Sequence, residues 1–494
     1  MRLEAPILLN FYMHFVIKLF PEIIVKSAPV RKRFTRQLYN NLNILVKRIS
    51  PSLKVRRDWE KLEVVGPEDS AVQIKVAQVL ANTPGIAFFY QVTQFEFETL
   101  DDIYQHTAQI WGDHLAGKTF CIRAKRTGSH DYSSVEIERY VGGGLNQNHV
   151  TGGVRLKQPD ITIKLEVKNN TLFVVQREVG GLGGFPLGTQ DPVLSLLSGG
   201  FDSTVASYLA IKRGLRTHYL FFNMGGRAHE VGCKEIAHYL WQKFGSSHQV
   251  RFISVPFEGV VAEILGTISQ ANMGVVLKRM MLRAASKVAQ EFNIEALVTG
   301  ESVAQVSSQT ITNLSVIDRV TETLVLRPLI TSDKGDIIAT ARAIGTEEFA
   351  ANMPEYCGVI SKKPTTRAKL AVVEQEESEF DLSVLEDAVA RMTVQGILNV
   401  LEATDYQQAD EFGYVPTGAE VIDIRHPDEQ ESAPLLVDNK PVKHIPFYLL
   451  AKSIAELGSQ QQYLLYCDRG VMSRLHAGQL SEEGYPNIGV YRPN

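Results

Sequence analysis

The sequence predicts a multidomain protein of α+β and α/β parts, and three observations carry that reading. The chain has 494 residues, 44% hydrophobic and 21% charged; at about 150 residues per domain this suits roughly three cores. Residues 60–178 show helical and strand periodicities in irregular order. After the glycine cluster Gly180-Gly-Leu-Gly-Gly184, strands and helices alternate in regular units. That alternation is the signature of a largely parallel sheet.

Taken in order, residues 1–12 are expected to be an extension, because Met13 opens a strand over 14–20 and is an alternative start. Pro21 and a Ser27 N-cap lead into a helix over 29–48. Helices follow at 72–80, 99–116 and 135–146, with strands at 87–92, 119–126, 161–167 and 171–176. Beyond Gly184, strands are expected at 193–197, 217–223, 250–256 and 296–299, with helices at 204–213, 230–244 and 278–292. Residues 371–411 read as helix and linker, partly a mobile tether, and a small α/β unit begins at 412 with buried strands 421–424 and 463–466. The boundaries are 13–60, 61–178, 179–370, 371–411 and 412–494.

The net charge of −4 excludes a polycation, yet charge is uneven. Residues 1–60 carry twelve Lys/Arg against four acids, and 371–411 one Arg against eleven acids. A basic front can meet phosphates, and the acidic stretch should avoid them. The four cysteines, Cys121, Cys233, Cys357 and Cys467, form no CxxC, so neither a metal site of protein ligands nor a secreted disulfide framework is expected. A reducing, cytoplasmic location follows. No run of eighteen apolar residues exists, so no membrane span is expected.

Ser198-Gly-Gly-Phe-Asp-Ser203 lies between a buried strand and a helix. Gly199 and Gly200 let backbone approach a ligand, and the helix aims free N–H groups at an anion. Ser198 and Ser203 add hydroxyl donors. A phosphate chain fits, although no Lys-Ser/Thr follows as in a Walker A loop. Asp202 would repel phosphate unless Mg²⁺ bridges them. The plain alternative is a tight turn capped by Asp202. A second loop, Cys467-Asp-Arg-Gly-Val-Met-Ser473, follows the strand 463–466. Amides wrapped around sulfur favour thiolate or persulfide, with Arg469 assisting. A third stretch, Pro354-Glu-Tyr-Cys357-Gly, has Lys362 and Lys363 nearby. A fourth, 119–156, gathers Arg123, Lys125, Arg126 and Arg139 with Tyr132 and Tyr140, which suits folded RNA. Arg31, Lys32, Arg33 and Arg36 open the first long helix; a solvated face explains such runs about half the time.

The first loop resembles the SGGxDS signature of PP-loop ATP pyrophosphatases, the second a rhodanese loop with Asp423-Ile-Arg425 as its partner motif, and 119–156 a THUMP domain. Met472 stands where rhodaneses often carry Arg. The order of these parts, with Arg139-Tyr-Val-Gly-Gly-Gly-Leu-Asn146, Gly184-Phe-Pro-Leu-Gly-Thr-Gln190, Leu277-Lys-Arg-Met-Met281 and Met353-Pro-Glu-Tyr-Cys-Gly-Val-Ile360, resembles the long form of the tRNA 4-thiouridine sulfurtransferase family. That resemblance implies a ferredoxin-like N-terminal part, a THUMP domain, a doubly wound PP-loop sheet and a rhodanese-like domain. It implies ATP and Mg²⁺, with Leu196, Leu197, Ser198, Gly199, Gly200, Ser203, Lys278, Gly300 and Gln309 as nucleotide contacts, and Asp202 and Lys334 needed for activation. It also implies tRNA bound through the basic residues, a cysteine desulfurase loading Cys467 as persulfide, a Cys357–Cys467 disulfide opened by a reductant, and sulfur passed to a carrier protein for the thiamine thiazole. Whether persulfide or released sulfide attacks the uridine stays open. So do three other readings: sulfur delivery for thiazole alone, a non-catalytic RNA binder with relic loops, and an amidating PP-loop ligase, for which no glutaminase-like sequence is seen.

Overall fold

The structure is a computed structural model describing residues 12–57, 61–67, 69–224, 227–351, 353, 363–401, 409–425, 427–437, 440–454, 457, 461–468 and 471–493. The extension expected at 1–12 lies almost wholly outside these. The chain forms two compact units, Met1–Thr189 and Gln190–Asn494.

The first unit is built on seven strands: β1 (Tyr12–Leu19), β2 (Lys54–Arg57), β3 (Lys61–Pro67), β4 (Ile86–Glu96), β5 (Phe120–Thr127), β6 (Ile161–Lys168) and β7 (Thr171–Gly183). Their order is β2-β3-β1-β4-β7-β6-β5, antiparallel except for β5 with β6. Helices α1 (Pro21–Ile24), α2 (Ala28–Ile49), α3 (Ser70–Ala81), α4 (Leu100–Trp111) and α5 (Ser134–Asn148) complete it. Local chemistry sets the helix starts. Asp69 accepts from the amides of Ala71 and Val72, and Thr99–Asp102 and Ser133–Glu136 form capping boxes. Ser27 stands at the expected N-cap of α2, but its side chain makes no capping bond.

Two larger cores and a small cluster of Val16, Val92, Phe173 and Val175 make up this unit. Phe15, Leu38, Leu42, Leu62, Leu80 and Phe89 pack in one, and Ile122, Ile137, Leu145 and Leu165 in the other. The expected boundary at 60/61 is therefore corrected: β3 pairs with β1 and α3 joins the first core, so the division falls near residue 96. The boundary expected after 178 also moves. β7 runs on through Gly180 and Gly181, where a Cβ at Gly181 would lie 2.4 Å from the Ile86 carbonyl, and the unit continues to Thr189.

The second unit contains two sheets. The larger comprises β8 (Gln190–Leu196), β9 (Leu215–Asn223), β10 (Arg251–Pro256), β11 (Ala296–Val298), β12 (Leu324–Leu326) and β13 (Thr393–Gly396), ordered β12-β11-β8-β9-β10-β13. All neighbours are parallel except β13 with β10. Its helices are α6 (Phe201–Lys212), α7 (Arg227–Leu240), α8 (Glu258–Thr267), α9 (Met273–Glu291), α10 (Ile311–Asp318), α11 (Lys334–Ile344), α12 (Glu347–Ala351), α13 (Leu370–Glu377) and α14 (Ser383–Ala390). The strand order reverses at β8, and ligands of open α/β sheets bind at the carboxyl ends of strands at such a point.

The tether expected over 371–411 is corrected up to residue 399. Val373, Phe380, Leu385 and Ala388 lie in the core, and β13 extends the sheet. Glu377 accepts from Arg279 at 2.5 and 2.8 Å and from Arg283 at 3.1 Å. Counting acids could not show that α9 supplies their cations. Residues 402–408 lie outside the described set.

The smaller sheet holds β14 (Glu411–Phe412), β15 (Glu420–Asp423), β16 (Val442–His444), β17 (Tyr463–Tyr466) and β18 (Ile488–Tyr491), all parallel, ordered β14-β18-β17-β15-β16. Helices α15 (Pro427–Ser432), α16 (Phe447–Ile454) and α17 (Val471–Glu482) accompany it. Among the described residues no helix is long and apolar enough to cross a membrane.

Candidate active site

The loop 197–203 leaves β8 at the reversal of the large sheet and turns into α6. Leu196 ends β8, and the Leu197 amide donates to the Leu220 carbonyl at 2.8 Å, so both are fixed by the sheet. Gly199 has φ +83°, a conformation that favours glycine, and a Cβ there would meet Met353 at 2.8 Å. Gly200 caps α6 with its backbone. The Ser203 hydroxyl accepts from the Ser198 amide at 3.1 Å, lies 3.1 Å from the Ser198 hydroxyl and donates to the Gly200 carbonyl at 3.2 Å. Ser203 is thus engaged in holding the loop. Behind it, His229 Nε2–H donates to the Ser198 carbonyl at 2.8 Å; burial lowers the pKa of this imidazole, which fits the neutral donor.

Asp202 stands in the first turn of α6. Lys334 Nζ reaches its two oxygens at 2.9 and 3.1 Å, and Gln305 Nε2 donates to it at 2.7 Å. The Lys334 ammonium also lies 5.4 Å from the Phe201 ring centre. Gly300, just past β11, packs on this turn: a Cβ there would be 2.5 Å from the Asp202 carbonyl carbon and the Ser203 nitrogen. Lys278 pairs at 2.7 Å with Glu301, which also accepts from Arg327 at 2.7 Å. Burial works to raise the Glu301 pKa, but the charges of Lys278 and Arg327 outweigh it and hold the carboxyl below the usual range. Gln309 closes the neighbouring loop, its carbonyl accepting from the Ala304 amide at 3.0 Å.

The expected nucleotide residues therefore converge on one strand-end region. Sequence reasoning missed Gln305, Glu301, Arg327 and His229. The first two flank Gly300 and Gln309 and were findable by adjacency. His229 gave no signal, because what it supports is a backbone carbonyl. Among the described residues no cluster of three metal-ligating side chains occurs, and Asp202 has company of the opposite charge.

Cys467 follows β17 directly and is 8% exposed. The Ser473 amide, in the first turn of α17, donates to its sulfur at 3.4 Å, and the Ser473 hydroxyl lies 3.5 Å away. On the adjacent strand end, fully buried Asp423 binds Arg425 at 2.6 and 2.9 Å, and Arg425 also reaches Asp468 at 2.9 Å. Burial opposes the Arg425 charge, but these carboxylates outweigh it and raise its pKa. Arg469, Cys357 and Lys362 lie outside the described residues. Met353, four positions before Cys357, rests against Gly199 and Gly232.

In the first unit, Arg31 and Lys125 line one hollow of about 570 Å³ with Lys18, Lys61 and Lys168. Lys32 and Arg36 line another of about 700 Å³ with Arg56 and Arg57, which sequence reasoning had not singled out. Arg33 lies over Phe34, and Arg139 is exposed. Arg123 is held by the Leu156 carbonyl at 2.9 Å, and Arg126 by the Gly128 carbonyl at 3.1 Å. Arg31 is likewise held by the Ile24 carbonyl at 3.4 Å, Lys18 by Glu166 at 3.3 Å and Lys61 by Glu63 at 2.8 Å.

The family described as Thiamine biosynthesis protein (ThiI) matches residues 188–382, and the THUMP domain family matches 97–175. A tRNA sulfurtransferase of Saccharophagus degradans is 57% identical, covering 97% of this chain and all of the relative. One from Aeromonas salmonicida is 54% identical with the same coverage. The crystal structure of a 4-thiouridine synthetase–RNA complex with bound ATP superposes with a TM-score of 0.69 at 26% identity, covering 78% of this chain and 99% of that one. Identity above one half along nearly the whole length shows that this chain belongs to the tRNA sulfurtransferase family.

Proposed function

We propose that this enzyme uses ATP to replace O4 of a tRNA uridine, at position eight, with sulfur, giving 4-thiouridine. The observation that carries the reading is the pair of anion-suited loops, Ser198–Ser203 and Cys467–Ser473, in a chain whose first sixty residues carry twelve Lys/Arg against four acids. ATP binding is supported by the structural relative, a 4-thiouridine synthetase–RNA complex with bound ATP. The amides of 199–203 would cradle the phosphates, with Lys278 and Lys334 supplying positive charge. Asp202 fits Mg²⁺, an ion commonly held by one or two carboxylates with phosphate oxygens; when bound it would neutralise charge on the pyrophosphate. Uridine O4 attacks the α-phosphorus, pyrophosphate departs, and the oxygen becomes part of an AMP leaving group.

Sulfur comes from the second loop. The small parallel sheet, with Cys467 at the end of β17 and the Asp423–Arg425 pair beside it, supports a rhodanese-like reading. A cysteine desulfurase would load Cys467 as a persulfide. Its terminal sulfur attacks C4 and AMP leaves; alternatively Cys357 first attacks the Cys467 sulfur, displacing hydrosulfide that then attacks C4 and expels AMP, with the same Cys357–Cys467 disulfide left behind. In the first route Cys357 attacks the Cys467 sulfur, freeing 4-thiouridine and leaving a Cys357–Cys467 disulfide. A reductant returns both thiols. The sulfane sulfur is thereby reduced at the expense of two cysteines. Delivery of the same sulfur to a carrier protein for the thiamine thiazole is a second reading, favoured by the description of the matching family.

The test is 4-thiouridine in tRNA, by nucleoside mass spectrometry, after incubation with ATP–Mg²⁺, cysteine and a desulfurase. Product from wild type but from neither Asp202→Ala nor Cys467→Ser is expected. Product surviving loss of Cys467 would overturn the sulfur route. Product surviving loss of Asp202 would overturn the assigned adenylation centre.

A further inference from the structure

Helix α7 meets the phosphate-suited loop, Met353 and the helix that follows the sulfur loop. His229 holds the Ser198 carbonyl of the phosphate-suited loop. Gly232 lies where a Cβ would strike Met353, which precedes the Cys357 stretch. Glu235 meets His476 of α17 at 2.6 Å. These three positions are spaced by three residues, so they climb one side of the helix over roughly 9 Å. His476 in turn lies three residues after Ser473, whose amide donates to the Cys467 sulfur. One turn of α17 therefore connects the ion pair to the sulfur loop.

The Glu235–His476 contact has the properties of a specific joint. Both side chains are buried, 6% and 12% exposed. Neither Glu235 Oε1 nor His476 Nε2 has a hydrogen-bond partner among the described residues, so the contact is an ion pair when the imidazole is protonated. A buried carboxylate needs such a partner. The neighbouring Lys234 is already paired with Glu230 at 2.7 Å. Aromatic contacts extend the joint one turn further along α7. The Tyr239 ring lies 5.1 Å from Phe349 of α12, Phe349 lies 4.8 Å from Phe447 of α16, and Phe447 lies 5.9 Å from His476.

We propose that Glu235 and His476, with Phe447 seated on Phe349, form a docking latch that registers the sulfur-bearing sheet against the ATP-binding sheet through α7. They are positioning residues: neither touches nucleotide or sulfur. The latch fixes where the start of α17, and hence Cys467, sits relative to the loop 198–203. This deepens the sulfur relay proposed above and rests on it for its consequence, but docking itself is measurable without sulfur.

The test uses the full chain. Hydrogen exchange is followed in α7, α12, α16 and α17 for wild type, His476→Ala, Glu235→Gln and the swapped pair Glu235→His with His476→Glu. Each single variant is expected to speed exchange at the facing surfaces of α7, α12 and α16 about tenfold, and the swap to restore most of the protection. In parallel, 4-thiouridine formation is expected to fall about tenfold in the single variants. tRNA-dependent AMP release and persulfide loading of Cys467 should stay near wild type, which a merely misfolded variant would not manage. Unchanged exchange in both single variants would overturn the latch. Changed exchange in a protein whose wild-type Cys467 never loads sulfur would uphold the latch and overturn the relay instead.

Discussion

Gly300→Ala tests the reasoning about the adenylation centre most directly. The added Cβ would lie 2.5 Å from the Asp202 carbonyl carbon and the Ser203 nitrogen, 0.9 Å short of an ordinary 3.4 Å contact. Both obstacles are backbone in the first turn of α6, so no rotamer change relieves the overlap. The turn carrying Asp202, or β11 beneath Gly300, must shift by most of an ångström. A displacement near 1 Å costs about 100-fold in a reaction that depends on aligned groups, or about 2.7 kcal/mol of barrier. Overpacking itself should cost about 1–3 kcal/mol of stability. Gly274→Ala, also in the second unit, is the control, because nothing lies within 4 Å of its added Cβ. The assay is tRNA-dependent AMP release at saturating ATP, with thermal melting of each variant. A folded Gly300→Ala protein releasing AMP within threefold of wild type would refute the claim that this close approach sets the loop.

Four other outcomes follow from the same structure. Glu377→Ala leaves Arg279, 1% exposed, without its carboxylate, and should destabilise the second unit by about 3–5 kcal/mol in urea unfolding; a loss under 1 kcal/mol would restore the tether reading of 371–399. Burial works to raise the Glu63 pKa, but His14 and Lys61 pull it down from 4.5 to about 2. That stabilisation, about 3 kcal/mol at most, is complete above pH 4.5 and lost as pH falls toward 2, so Glu63→Gln should flatten acid unfolding of the first unit in that window. Replacing Lys32 and Arg36 together by Ala should reduce the slope of log affinity for tRNA against log salt by roughly 1.4–1.8; an unchanged slope would remove that hollow from the RNA surface. Met353→Ala should relieve the side-chain overlap created by Gly199→Ala but not the strain at φ +83°, so AMP release by the double variant should recover only in part.

The strands and helices that were legible have local signals; β2, β3, β12, β13, β16, β18 and helices α8, α10, α11 and α12 were not read from the sequence. Helical periodicity marks α4 and α5, polar–apolar alternation marks β5, and the regular succession of apolar runs and helices marks the larger sheet of the second unit. The two loops were legible because strand, loop and helix are contiguous in sequence. What failed was long-range. The acids of 371–399 read as solvated because their partners, Arg279 and Arg283, lie some ninety residues earlier. β3 and α3 were assigned to the wrong core because pairing with β1 leaves no mark in their own residues. The glycines at 180–183 read as a linker, although at Gly181 the requirement is room for the Ile86 carbonyl within a continuous strand.

One local device appears twice in the second unit, which explains why two unlike chemistries could share a chain. In both cases a parallel strand ends, a short loop follows, and a helix begins with its free amides facing the loop. After β8 the loop is widened by glycines and flanked by lysines, which suits a bulky, highly charged phosphate chain. After β17 the Ser473 amide faces a single nearly buried sulfur, and the nearby Arg425 is already committed to Asp423 and Asp468, which suits a small, soft anion. The helix end supplies attraction for negative charge in both, and loop width with cation supply sets which anion is taken. Neither loop holds information about the other. Their meeting depends on contacts such as Glu235 with His476, between helices more than two hundred residues apart in sequence. The chemistry of each half is thus written locally, whereas the order in which the halves act must be written in the joint.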